Sequence, residues 1–543
     1  MAVYLGFDLG TQGLAAVAVE VDGPRRRVVF ERTLDFDTAF PRYGTDHGVL
    51  PREDPLVADS SPLLWAEALE RMMQIVAAES GLDLARVRAV AGSAQQHGSV
   101  YLNRTAAETL AGLDPAQPLV AQLAGVFTRK VAPIWMDSST AHQCAAITRA
   151  LGGAEAVARL TGSRAFERFT GPQIRKFFEH DPAGYRRTDT IHLVSSYLAS
   201  LLAGKRAPIE PGDGAGMALM DIARKAWSPA ALEATAPDLA EKLPPLADSW
   251  TVVGELSPYW TRRYGFPAAA AVAWSGDNPC SLVGTGLVAD GSIAISLGTS
   301  DTLFAPMAEP RTDPSLDGSV FGAPTGGYMG LVCFKNGSLA RERVRDAHGM
   351  NWDAFSRSLR ATRPGNGGAL MLPWFEPEIT PPVAHAGVRR LGLDPDDGPA
   401  NVRAVVEAQM MALANHSQWM GVRAKEIRAT GGAAANRDIL QVMADVHGAE
   451  VRPLEVGNSA CLGAALRAWH ADEWRAGRRI PWPDIVTGFV VPEEPAIRPV
   501  AGRAPLYAEL REVYAAAEAH ALGRGPDPAP LIDRFRAKYG TGR

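Results

Sequence analysis

One short phrase occurs twice in this chain, and the repeat constrains the fold more than any other feature. Leu9-Gly10-Thr11-Gln12 stands near the start and Leu297-Gly298-Thr299-Ser300 in the second half. Each follows an apolar run and precedes another: Ala15-Ala16-Val17-Ala18-Val19 after the first, Thr302-Leu303-Phe304-Ala305 after the second. Both read as strand, tight Gly-containing turn, strand. Such a turn aims successive backbone N–H groups and a Thr hydroxyl at one spot, an arrangement that grips phosphate oxygens. Two such hairpins, one per half, predict two related domains facing each other across a nucleotide.

The length of 543 residues exceeds what one core organises and fits two domains with a tail. A net charge of −5, from 60 acidic and 55 basic residues, leaves no basic footprint, so no nucleic-acid partner is expected. No apolar stretch approaches the roughly 20 residues of a membrane helix, so no membrane partner is expected either. Cys144, Cys280, Cys333 and Cys461 are widely spaced with no CxxC, which reads as reduced thiols rather than a disulfide framework or a zinc site. With a strand at the very start in place of a signal peptide, the expectation is a cytoplasmic protein, a monomer or a homodimer.

Strands are predicted at 3–8, 14–20 and 27–31, and a helix at 62–79 with Pro62 in its first turn and Leu64, Leu69, Met72, Met73 and Val76 at helical spacing. Further strands are expected at 87–92 and 131–136, and helices at 139–151, 173–181 and 190–203. Residues 205–270 are rich in Pro and Gly, and the domain change is placed near Tyr264-Gly265-Phe266-Pro267. The second half restarts with a strand at 270–275, a helix near 278–289 and the hairpin at 292–305. Beyond it come a strand at 328–334, helices near 338–347 and 402–423, a strand at 426–430, and helices at 436–447 and 458–471. The expected division is 1–266, 267–480 and an extension over 481–543. This alternation indicates α/β layers.

Asp8 ends the first strand beside the first hairpin. A carboxylate there repels phosphate unless a Mg²⁺ ion bridges the two; the alternative is a turn-forming Asp. Trp274-Ser275-Gly276-Asp277-Asn278-Pro279 places an acid at a strand end and a helix start. Asp277 is a candidate base for a substrate hydroxyl, and equally a helix N-cap. Asp213, in Gly212-Asp213-Gly214-Ala215-Gly216, is a rival base. Thr430-Gly431-Gly432-Ala433-Ala434-Ala435-Asn436 follows a strand and opens a helix; its adjacent glycines let a flat ring approach the backbone. Neither GxxxxGK[ST] nor GxGxxG occurs, so nucleotide use must run through the hairpins. Ser93-Ala94-Gln95-Gln96-His97-Gly98 gathers polar groups at a strand end, and Arg164, Glu167 and Arg168 gather in a loop, as a polyhydroxy substrate requires.

Together, Asp8-Leu9-Gly10-Thr11, Gly276-Asp277-Asn278, Ser296-Leu297-Gly298-Thr299-Ser300 and Thr430-Gly431-Gly432 resemble the FGGY carbohydrate kinases, within the actin, hexokinase and heat-shock-70 ATPase superfamily. Pro133-Ile134-Trp135-Met136-Asp137, Leu160-Thr161-Gly162-Ser163-Arg164 and Cys333-Phe334-Lys335-Asn336-Gly337 are similar to the longer xylulose-phosphorylating branch found in animals and some bacteria. The likeness covers about residues 3–470. It implies two ribonuclease-H-like domains with an interdomain cleft, ATP with Mg²⁺ as cofactors, and phosphorylation of the 5-hydroxyl of D-xylulose. Carried over by motif, Asp277 matches the catalytic base. His97, Arg168, Asp277 and Asn278 match sugar contacts, and Asp8 the Mg²⁺-associated carboxylate. Thr11, Gly298 and Thr299 match the phosphate hairpins, Gly431, Gly432, Ala433 and Asn436 the adenosine loop, and Trp352 an aromatic near the nucleotide. Gln96 departs from the pattern, standing where shorter members have Met, and 374–400 matches nothing in it. Other expectations left open are a kinase for D-ribulose, L-xylulose or an alditol, a non-catalytic sugar sensor, and an actin-like filament protein.

Overall fold

Each hairpin sits in its own mixed sheet, and the two sheets follow one plan. In the computed structural model, which describes residues 1–454 and 457–540, the first sheet runs Val252–Glu255, Ala270–Val272, Val87–Ala94, Ala2–Leu9, Gly13–Asp22, Arg25–Asp35. The three N-terminal strands form an antiparallel meander, and Val87–Ala94 and Ala270–Val272 join it in parallel. Ala2–Leu9 is almost continuously apolar and buried, as a central strand must be, whereas the Arg-rich Arg25–Asp35 is largely exposed and forms the edge. The second sheet runs Ser319–Gly322, Tyr328–Phe334, Asp301–Met307, Ser292–Leu297, Glu426–Thr430, Glu450–Pro453. Again the hairpin strands are antiparallel on one side, and parallel strands complete the other.

The strand expected to restart the second half belongs instead to the first sheet. Ala270 and Ala271 pair with Ala89 and Val90, and Ser275 and Gly276 pair with Ser93 and Ala94. The Pro/Gly-rich stretch before it is a connection within the first unit, and the second sheet begins only at Ser292. The sequence also predicts helix from 190, but Thr188–Leu193 is a strand, consistent with its β-branched Thr188, Thr190 and Ile191, and the helix starts at Val194. Helices Ala154–Thr161 and Trp352–Ala361 are additional to those expected. The segment from 481 is no loose appendage: Tyr507 and Tyr514 of helix Ala504–Ala521 are buried in the second core, and the Tyr507 hydroxyl donates to Glu407. Residues 541–543 of that segment lie outside the described residues. Among the described residues no helix is long and apolar enough to cross a membrane.

Two helices join the halves. Ser459–Arg475 follows the last strand of the second sheet yet packs on the first sheet, where Gly6 leaves room for the Cys461 carbonyl and the Ala465 amide. It crosses Asp277–Gly284 at two glycines: a Cβ on Gly284 would strike the Ser459 carbonyl, and one on Gly463 the Cys280 carbonyl. Arg467, 1% exposed, donates to the carbonyls of Gly92, Ser249 and Ala273 at 3.0, 3.0 and 2.7 Å, stitching strand, loop and helix together. Gly463→Val forces these backbones apart, and overpacking of this kind costs about 3 kcal/mol. Urea unfolding followed by tryptophan fluorescence is expected to show a clearly lowered midpoint; an unchanged midpoint would contradict the close crossing.

Candidate active site

The first hairpin turns between Leu9 and Leu14, closed by Gly10 N–H to Gly13 O at 2.9 Å. Thr11 stands at its tip. Its hydroxyl accepts from Trp135 Nε1 at 2.8 Å and reaches Gln95 Oε1 at 3.5 Å. Asp37 accepts from Thr45, His47 and Gly48 and so seats Gly48, at φ 78°, against the Thr11 carbonyl. The second hairpin turns between Leu297 and Asp301, leaving Thr299 exposed. Ser338 N–H donates to Gly298 O at 2.8 Å, and Gly337 lies so close that a Cβ would be 2.7 Å from Thr299 O.

A pocket of about 880 Å³ opens beside the second hairpin. Gly298, Thr299, Trp352, Gly432, Ala433 and Asn436 all line it, so six of the sequence-selected nucleotide residues converge. Gly431 lies just beneath: at φ 85°, with a would-be Cβ 2.6 Å from Leu297 O, the position admits only glycine. Trp352 is 39% exposed, with the Arg345 guanidinium 4.6 Å from its ring centre and Phe355 at its edge. Asn436 is the N-cap of helix Arg437–His447. Its Oδ1 accepts from the amides of Asp438 and Ile439, and its Nδ2 donates to Ser356 Oγ at 2.8 Å. Ser356, Arg357 and Arg360 also line the pocket and are not candidates from the sequence, because they lie on a helix additional to those the sequence predicts. The recurrence of Trp352, Phe355 and Leu359 is the signal that marks it.

The residues that the sequence suggests for a sugar lie around the end of strand Val87–Ala94. His97 sits at φ 72°, its ring stacked on Phe169 with centroids 4.5 Å apart. Its Nδ1 is 2.9 Å from Gly216 O; a carbonyl only accepts, so Nδ1 carries the proton and Nε2 keeps a free lone pair. Burial, reinforced by the nearby Arg168 charge, pushes the imidazole down to about 3, so it stays neutral. Arg168 lies over Phe166 and Phe169 at 4.7 and 5.6 Å from the ring centres. Among the described residues no carboxylate ion-pairs with it. Phe321, on the edge strand of the second sheet, lies 6.4 Å from the His97 ring. Phe169, Phe321 and Trp135 are not site candidates from the sequence: Trp135 and Phe169 lie in motifs whose polar residues carry the reading, and a lone Phe321 reads as core.

Asp277 occupies the first turn of its helix, and the N-cap is Gly276, so capping is not its role. Asn278 donates to Asp277 Oδ1 from its backbone N–H at 2.8 Å and its side chain at 3.1 Å. Burial, then repulsion from Asp8, raises the Asp277 carboxyl to about 7. Burial likewise raises Asp8, whose partner is the Ser93 hydroxyl. Asp213 is fully buried, accepts from Ser195 Oγ at 2.5 Å, and is raised well above the carboxylate range by burial. Without solvent access it is ill placed to meet a substrate hydroxyl, whereas Asp277 keeps an accessible face.

Residues 129–284 match the N-terminal domain, and 293–471 the C-terminal domain, of the FGGY family of carbohydrate kinases. The chain is 42% identical over 536 residues to a xylulose kinase of Rattus norvegicus, covering 96% of this chain and 98% of that one. It is 42% identical over 494 residues to xylulose kinase 2 of Arabidopsis thaliana, covering 86% and 87%. Among solved structures, xylulose kinase from Rhodospirillum rubrum superposes with a TM-score of 0.79 at 19% identity, covering 96% and 99% of the two chains. Plasmodium falciparum glycerol kinase with ADP gives 0.74 at 14% identity, covering 97% and 99%. These last two establish the shared two-domain fold.

Proposed function

Because this chain belongs to the FGGY family of carbohydrate kinases, we propose that it transfers the γ-phosphoryl group of ATP to the 5-hydroxyl of D-xylulose, giving D-xylulose 5-phosphate and ADP. The observation that carries the reading is a proton-avid Asp277, close to Asp8 and bonded to Asn278, in a chain whose second Gly-Thr hairpin lines a nucleotide-sized pocket. His97 Nε2 accepts from one sugar hydroxyl, and the Arg168 guanidinium and Asn278 bind others. Each buried hydroxyl needs a partner, and these groups supply both donors and acceptors. Asp277 takes the proton from the attacking hydroxyl as the new O–P bond forms and the bond to the bridging oxygen of ADP breaks. Thr11, Gly298 and Thr299 receive the phosphates. Trp352, Gly431, Gly432 and Ala433 receive the adenosine, and Asn436 fixes the loop that does so.

Asp8 suits Mg²⁺: it is a hard oxygen ligand held by a hydroxyl, with no cation paired to it among the described residues. When bound there, the ion supplies charge neutralisation for the phosphates. Domain closure excludes water from the transfer.

ADP release measured across D-xylulose, D-ribulose, L-xylulose and several alditols tests the substrate. D-xylulose is expected to give the highest kcat/KM. Preference for another sugar would replace the assignment, and sugar binding without ATP turnover would make the chain a sensor. The pH profile is a second check. The base acts only as carboxylate, so kcat/KM for the sugar rises with pH through about 7 and falls away below it. Asp8→Asn removes the repelling charge and with it the carboxylate proposed to hold Mg²⁺, so this check follows sugar binding without metal, where the acid limb moves to lower pH. A limb that stays fixed would separate Asp277 from the titration.

A further inference from the structure

Gln96 is 3% exposed and lies between the two elements that carry the sugar site. Strand pairing places it there: Ser93 and Ala94 register with Ser275 and Gly276, so the residues after each strand emerge side by side. Its Nε2 donates to Gly212 O at 3.3 Å, and its Oε1 accepts from Asn278 Nδ2 at 3.0 Å. The orientation is dictated by its partners, since the carbonyl can only accept and the Asn278 amine can only donate. Asn278 Nδ2 places its other hydrogen on Asp277 Oδ1 at 3.1 Å. One continuous chain of amides therefore runs from the Gly212 carbonyl to the Asp277 carboxylate.

The far end of that chain is anchored. Glu210, 1% exposed, accepts from Gly212 N–H at 2.9 Å and from Ser275 Oγ at 2.5 Å, tying the Gly212 turn to the strand that leads into Asp277. Asp213, next along, is held by Ser195. Gly276 completes the fit. A Cβ there would lie 2.6 Å from Gln96 Cγ and 2.9 Å from its Cδ and Nε2, so the glycine is the space in which the Gln96 amide rests.

Building on the sugar-kinase reading above, we propose that Gln96 is a positioning residue: its amide, bonded to protein at both ends, fixes Asn278 and through it the carboxylate of Asp277. Both ends of the amide are engaged, so its work is orientation rather than contact with sugar. A base displaced by about 1 Å loses roughly 10²-fold in rate, and a side chain pinned at one end only is free to swing by that much.

The test is a mutant cycle on the full-length enzyme, assayed with whichever sugar of the panel gives the highest turnover. Gln96→Met keeps the length and removes the hydrogen bonds to Gly212 and Asn278 together with the polar interaction with Asp213. It is expected to lower kcat by about 10- to 100-fold, with KM for MgATP and the thermal midpoint close to the parent values. On an Asn278→Ala background the same change is expected to cost less than about twofold further, because the relay is already broken. Gly276→Ala pushes the amide aside without altering it; it is expected to reproduce the kcat loss and to be non-additive with Gln96→Met. This variant also carries the test if Gln96→Met does not fold. Penalties that multiply in the cycle would overturn the proposal, as would a raised sugar KM at unchanged kcat, the mark of direct contact. A parent enzyme that turns over no sugar would sink the kinase reading and this one with it. An active parent matched in kcat by Gln96→Met would sink this one alone.

Discussion

Asp277→Ala is expected to lose about 10²- to 10⁴-fold in kcat while binding MgATP as the parent does. The range is what a positioned general base contributes to proton transfer in the transition state. Nucleotide affinity is expected to be spared because Asp277 is not among the residues that line the pocket proposed for the nucleotide, which include Leu297, Gly298, Thr299, Trp352, Gly432, Ala433 and Asn436. Stability moves the other way. Asp277 is held near Asp8 and raises the proton affinity of Asp213, so the parent crowds carboxyl groups into a largely buried site. Removing one of them relieves repulsion, and the thermal midpoint is expected to equal or exceed that of the parent, the usual pattern for a strained catalytic group. Calorimetry with nucleotide, a thermal melt and a steady-state assay on one preparation check all three. An active variant would remove Asp277 from the mechanism, and a destabilised one would make its role structural.

The two hairpins were legible because each is a local signature: a Gly-Thr turn between two apolar runs specifies strand, bend and strand within about a dozen residues. The choice between Asp277 and Asp213 was not. Both are acids beside glycines, and what separates them is exposure, which depends on Ser195 and the helix packed over Asp213 rather than on neighbours in sequence. The contact between Gln96 and Asn278 spans 182 positions and follows from parallel pairing of Val87–Ala94 with Ser275–Gly276. Periodicity reveals that a strand exists but not which strand it pairs with. The same ambiguity explains why 270–276 reads as the start of a new domain although it completes the first sheet. Helix Trp352–Ala361 is hidden in the sequence for a further reason. Its buried face is three residues wide on a ten-residue helix full of Arg and Ser, and the polar residues that defeat the pattern are those lining the pocket.

Arg341→Met is expected to destabilise the chain by about 3–5 kcal/mol. Arg341 is fully buried and grips Asp301 with both ends of its guanidinium, Nη1 to Oδ2 at 2.7 Å and Nη2 to Oδ1 at 3.0 Å. The same Nη1 donates to Gln409 Oε1 at 2.8 Å, and Gln409 Nε2 returns to the carbonyls of Asn336 and Gly337, also at 2.8 Å. Glu378 closes the set from the far loop by accepting from the amides of Lys335 and Asn336 at 2.6 and 3.2 Å. Asp301 is the residue that ends the second hairpin turn, so this network is the foundation under Thr299. With methionine at 341 the Asp301 carboxylate is left buried and uncompensated, and burial already raises its proton affinity in the parent. In the variant the folded-state pKa lies further above its unfolded value. The penalty is therefore present in full above that raised pKa and shrinks as pH falls through it toward the unfolded value. Urea midpoints taken between pH 5 and 8 should show the gap from the parent widening with pH. Adding Asp301→Leu removes the stranded charge and is expected to recover most of the lost stability, since apolar replacement of a buried ion pair is often neutral. KM for ATP should remain raised in that double variant while sugar KM stays near the parent value, because the charges are gone but so is the tether on the hairpin. Equal stability of Arg341→Met and the parent at pH 8 would show that the pair is not what holds this turn.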